Sequence, residues 1–207
     1  MKTIKKEVVT QLVEKKSKFI SLIYPVSSVE EAENKIKEIR KKYYDARHHC
    51  FAYRIYNENN IIEKSSDDGE PSGTAGAPML NLLAKNDLIN VLVVVVRYFG
   101  GILLGTGGLV RAYTKSSQDA IIQAESINIE PGIKIEVAIL YQYLKDFKYY
   151  CQKNNINILD NIFNEDVICI LELPLNKKDK IIGEMEKNQP NIQKIRILET
   201  TYIQKNT

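Results

Sequence analysis

The chain has 207 residues, 44% hydrophobic and 27% charged, which excludes the disordered, collagenous and disulfide-scaffold classes. Its 29 Lys and Arg against 26 Asp and Glu leave a formal charge of +3, too small for the global basic field of a nucleic-acid coat protein, so any such binding must be local. Three cysteines, Cys50, Cys151 and Cys169, lack CxxC spacing, which argues against a disulfide framework or structural zinc and fits a reducing cytoplasm.

Charges interrupt every apolar run from Met1 to Phe19, which predicts no signal peptide, and no segment reaches the roughly 18 apolar residues of a membrane span. Val8–Val13 and Phe19–Tyr24 are strand candidates. Ser28 with Glu31 forms a capping box that opens a helix to about Tyr44. Cys50–Tyr56 and Ile61–Ser65 read as a hairpin turned at Asn57–Asn60. A helix begins at Ala75–Pro78 and ends near Lys85, and Val91–Arg97 reads as a strand covered on both faces. Leu109 to about Ser126 is one long helical pattern. Glu130, Pro131 and Gly132 cannot continue it and read as a linker, dividing the chain into residues 1–130 and 133–207.

Downstream, Ile133–Leu140 reads as a strand, Gln142–Asn154 as a helix, and Asn157–Phe163 and Val167–Leu173 as strands around a turn at Asn164–Asp166. Asn176 can cap a helix to Asn188, and Ile192–Leu198 alternates as a half-buried strand does. The order βαββαβ is the split, ferredoxin-like arrangement, so the fold class expected is α+β.

Eight of the ten glycines fall between Gly69 and Gly108, where three constellations can carry chemistry. In Ser66–Pro78 the carboxylates Asp67, Asp68 and Glu70 stand among glycines and hydroxyls, including Ser72 and Thr74. They can hold Mg²⁺ or share a proton, or the segment is an exposed turn bonded to its own backbone. In Arg97–Arg111 a strand ends in arginine, a glycine loop follows, and a helix begins. Gly100, Gly101, Gly105, Gly107 and Gly108, flanked by Arg97 and Arg111, form a phosphate-type cradle, unless the glycines serve packing and the arginines pair internally. The third is Arg47–Cys50, holding His48 and His49. Adjacent strand residues face apart, so the two histidines do not chelate one ion, and one of them can face the glycine loop.

Four motifs, KSKFI at Lys16–Ile20, ARHHCFAY at Ala46–Tyr53, SDDGEPSGTAGAP at Ser66–Pro78 and VVVRYFGGILLGTGGLVRAY at Val94–Tyr113, resemble those of the IMPACT (YigZ-type) family in content and order. The resemblance implies an N-terminal domain like the second domain of a small-subunit ribosomal protein, with a left-handed βαβ unit. It also implies a C-terminal ferredoxin-like domain similar to domains of elongation factor G. Eukaryotic relatives regulate translation by restraining a stress kinase. This chain has the arrangement typical of bacterial members. Two functions follow. The preferred one is a cytoplasmic, non-catalytic protein without cofactor or membrane partner. It contacts RNA or the ribosome through Arg97–Arg111, with His48, Ser72 and Thr74 beside it, and a translation-regulatory protein is a further possible partner. The alternative is a Mg²⁺-dependent, nucleotide-handling enzyme using Asp67, Asp68 or Glu70.

Overall fold

Six consecutive apolar residues, Val91–Val96, cannot alternate inside and outside as a half-covered strand does, so this strand must have a hydrophobic layer on each side. In a computed structural model, which describes residues 1–57, 60–188 and 191–205, all six are buried at 0% exposure. They belong to β6 (Val91–Tyr98), the middle of an antiparallel five-stranded sheet. Its other strands are β2 (Val8–Glu14), β3 (Ser17–Pro25), β4 (His48–Asn57) and β5 (Asn60–Ser66), in the order β2-β3-β6-β4-β5. On one face Val91, Val93 and Val95 join Met79 and Leu83 of α2 (Gly76–Lys85) and Leu109, Ala112 and Tyr113 of α3 (Thr106–Ala124). On the other, Leu92, Val94 and Val96 meet Ala32, Ile36 and Ile39 of α1 (Val29–Lys42). Each fully buried side chain of this size contributes about 1.5–3 kcal/mol. Ser28 caps α1 as its sequence predicts, accepting from the Glu31 amide at 3.1 Å.

The chain divides into two compact units, Met1–Asn128 and Ile129–Thr207. In the second, β7 (Ser126–Ile139), α4 (Leu144–Lys153), β8 (Asn157–Phe163), β9 (Val167–Pro174), α5 (Lys178–Asn188) and β10 (Ile192–Gln204) follow the βαββαβ order. The strands lie antiparallel as β10-β7-β9-β8. Every second residue of β7 and β9, from Ile133 to Ile139 and from Val167 to Leu173, is buried against Phe147, Cys151 and Met185 of the two helices.

Several expectations need correction. Glu130, Pro131 and Gly132 are not a linker but lie within β7, paired with Ile203, Tyr202 and Thr201. Proline is accommodated because pairing with β9 begins only at Gly132, so Pro131 has a neighbour strand on one side. Asn176 sits in a 3₁₀ turn, Leu175–Lys177, ahead of α5 instead of capping it. β10 runs on to Gln204, and a short β1 (Lys2–Ile4), absent from the sequence reading, pairs with Ser126–Asn128. Residues 58 and 59 of the expected hairpin turn lie outside the described residues.

A Cβ on Gly132 would stand 2.6 Å from Ile203 Cγ2 and 3.0 Å from the Leu173 carbonyl oxygen. Gly132→Ala should therefore lower stability by about 1–3 kcal/mol. Urea unfolding followed by circular dichroism checks this, with the midpoint falling and the slope unchanged.

Candidate functional site

The acidic segment is spoken for, residue by residue. Helix α2 starts at Gly76 behind Ala75, which has no side chain to cap it, and Asp67 supplies the cap from upstream. The Asp67 carboxylate accepts from the amides of Gly73, Ala75 and Gly76 at 2.8, 2.9 and 2.8 Å. Burial pushes its pKa up, but the three amide bonds outweigh burial and hold it below the ordinary aspartate value. Asp68, with φ at 42°, turns the other way. Its two oxygens accept from Arg40 Nη2 and from the His49 amide, each at 2.6 Å. Here too burial raises the pKa, and Arg40 and the amide overcome it to leave a net lowering. His48 Nδ1 donates to the Asp68 carbonyl at 2.9 Å and His49 Nε2 to the Tyr43 carbonyl at 3.0 Å, which orients each ring.

Glu70 faces inward. Its side chain is 3% exposed and its Oε1 accepts from Arg97 Nη1 and from Tyr113 Oη, both at 2.7 Å. Arg97, 6% exposed, packs its guanidinium 5.3 Å from the Phe19 ring centre and 5.7 Å from that of Phe99. Its Nη2 also reaches Ser17 Oγ at 3.3 Å, and that hydroxyl accepts from the Gly100 amide at 3.2 Å. The Cys50 thiol lies 2.9 Å from the Asp67 carbonyl oxygen and 3.4 Å from Tyr113 Oη. Burial first, then the nearby carboxylates, pushes that thiol up to about 12, and burial raises the Tyr113 phenol as well. Neither group is poised for nucleophilic or acid-base work near neutral pH.

Beyond this knot the chain opens outward. Gly100 presses on the β2–β3 turn so closely that a Cβ there would lie 2.0 Å from the Lys16 carbonyl carbon. Phe99, Ile102 and Leu103 are then 49, 42 and 82% exposed. Gly105 precedes α3 at φ 71° and ψ 165°, a region essentially reserved for glycine, and a glycine carries no side chain with which to cap the helix. Among the described residues the first amide of α3 to find an acceptor is that of Leu109, on the Gly105 carbonyl. The amides of Thr106, Gly107 and Gly108 thus form an open first turn with a partial positive charge, exposed at Thr106 and Gly107 and half-buried at Gly108. Beside Gly108 lies a cleft of about 240 Å³ lined by Leu104, Lys15, Arg111, Lys115 and Glu14. Lys115 is held by Asp119 at 2.7 Å, whereas Arg111 and Lys15 have no ion-pair partner among the described residues.

The sequence-predicted cradle is therefore divided. Arg97 and Thr74 are corrected out of it: Arg97 is consumed by Glu70, and Thr74, 4% exposed, donates to the Pro71 carbonyl at 2.6 Å. His48 meets the Asp68–Gly69 turn, Gly100 serves packing, and Ser72 is exposed. Gly108 and Arg111 line one cleft and Gly107 lies against the Arg111 guanidinium, while Gly101 and Gly105 are exposed in the loop before them. Asp67, Asp68 and Glu70 diverge onto separate protein donors, and no metal-holding group of His, Cys, Asp and Glu occurs among the described residues. Lys15 and Lys115 were missed. Lys115 follows Arg111 by one helical turn, a spacing that marks a shared face.

The family model of the Impact N-terminal domain matches residues 15–121. An IMPACT family member of Haemophilus influenzae is 36% identical over 191 residues, covering 89% of this chain and 90% of the relative. The IMPACT family member YvyE of Bacillus subtilis is 48% identical over 119 residues, 58% of this chain, which spans about half (54%) of that relative's length. A solved structure described as the crystal structure of a hypothetical protein is 30% identical with a TM-score of 0.65, covering 95% of each chain.

Two outcomes follow from the geometry. Glu70→Gln leaves the Arg97 charge buried and unmatched, so it should cost about 3–5 kcal/mol, whereas Glu70→Gln combined with Arg97→Met should cost less than the sum of the single changes. Denaturant titration of the three variants measures the difference. Both lowered aspartates contribute stability that is present above the unfolded value of 3.8 and is lost as pH falls through the lower folded values. Thermal melts should therefore fall steeply below about pH 4, and Asp67→Asn should be less stable at neutral pH with a shallower acid limb.

Proposed function

The chain belongs to the IMPACT family, and from that premise we propose that it is a non-catalytic binding protein linked to translation regulation. In this reading it holds phosphate groups of RNA or the ribosome at the cationic cleft beside α3. One observation carries it: Arg111 and Lys15, unpaired among the described residues, border an uncapped and exposed helix start. An uncapped helix start with two cations beside it favours an anion, and repeated phosphates fit an open surface cleft. The link to translation rests on the role that the family resemblance implies, as does a translation-regulatory protein partner.

The finer fold reading accompanies it. The second unit is read as ferredoxin-like, akin to elongation factor G domains, and the first as akin to the second domain of a small-subunit ribosomal protein with a left-handed βαβ unit. A cytoplasmic location fits the buried thiols. No helix among the described residues is long and apolar enough to cross a membrane.

Sedimentation of the full chain with ribosomes, subunits and tRNA over a salt series tests the proposal. Binding should weaken as salt rises. Arg111→Ala and Lys15→Ala should each lower affinity and reduce the slope of log affinity against log salt by about one. Glu14→Gln should strengthen binding by removing a like charge from the cleft. Binding indifferent to salt and to Arg111→Ala, or sustained turnover of ATP or GTP, would overturn it.

A further inference from the structure

The two edges of the first unit's sheet are built differently. At one edge β5 carries Glu63 and Lys64, held to Arg54 at 2.7 Å and to Glu33 at 2.8 Å. Charges placed this way guard an edge against pairing with another chain. At the other edge β2 pairs only with β3, through seven consecutive residues without a bulge. From Val8 to Val13 it contains no charge, proline or glycine. Val9 and Val13 are 56 and 59% exposed, and a groove of about 400 Å³ runs between the strand and α3, where Ile122 is 66% exposed. A regular edge, uncharged but for Glu14 at its end and with its outer backbone row unpaired among the described residues, is a template for another strand.

We infer that β2 is a self-association edge: two copies of the chain pair β2 against β2, antiparallel, about a two-fold axis at Gln11, joining two five-stranded sheets into one. The two exposed valines stand symmetrically about Gln11, a spacing that is complementary to itself and so favours a second copy as the occupant. With Gln11 on the axis, the two exposed valines of the strand meet, Val9 facing Val13 of the partner subunit, and two-fold symmetry repeats the contact. Moving the axis to Thr10 loses both valine pairs. The contact area of one short strand is small, so the dimer is reversible and depends on concentration.

Sedimentation equilibrium of the full chain from micromolar to near-millimolar concentration tests this. The average mass should rise from 23.7 kDa towards twice that value. Val9→Lys with Val13→Lys sets like charges face to face and should leave only monomer. Gln11→Glu, which brings two carboxylates together at the axis, should do the same. Val9→Lys with Val13→Glu sets opposite charges face to face and should restore the dimer, now weakening as salt rises. All three positions are exposed, so melting temperatures should stay near that of the natural chain. The inference is overturned if the natural chain remains monomeric throughout, if the lysine pair dimerises as well as the natural chain, or if the lysine–glutamate pair stays monomeric.

Discussion

An arginine cannot shed its proton, so a guanidinium with only 6% of its side chain exposed must be met by a carboxylate, and the fold is arranged so that Glu70 meets it. The two residues lie 27 positions apart, one in the glycine-rich acidic segment and one at the end of the central strand. Tyr113 of α3 gives the same carboxylate oxygen a second donor, and Ser17 at the start of β3 receives the other guanidinium nitrogen. Four separate segments are thereby fixed to one buried pair. The desolvation of both ions offsets most of their attraction, so the pair acts more through position than through net stability.

That position decides where the surface opens. Holding Arg97 inward draws Gly100 onto the Lys15–Lys16 turn, whose two lysines adopt left-handed φ values of 45° and 65°. Tight hairpins need such angles at both central residues and usually find them in Asn-Gly. Here the pressure of the glycine loop and the flanking strands holds lysines there instead, and Lys15 is left at the rim of the cleft that Arg111 lines. The cationic cleft is thus a by-product of buried chemistry a few residues away.

These relations explain what could be read in advance. Periodicity marked β6, and Ser28 three residues before Glu31 marked the start of α1, because both signals are local. Arg97 and Arg111 are chemically alike and flank one glycine loop, so nothing in their neighbourhood separates a structural arginine from an exposed one. Glu70 decides it, through a contact that exists only after folding. Pro131 misled for the converse reason, since its local rule is sound but the strand it sits in has a free side at that residue. Lys15 gave no signal, because its turn lacks turn residues.

The burial of all three cysteines has an experimental use. Cys50 lies at 0% exposure in the first unit, and Cys151 and Cys169 at 0% in the second. Burial raises all three thiols, Cys50 and Cys151 to about 12, so the folded chain should alkylate slowly at neutral pH. Labelling then reports opening of the structure rather than surface accessibility, and peptide mapping distinguishes the two units within the intact chain. A single cysteine introduced on the surface could likewise carry a probe without background from the native three.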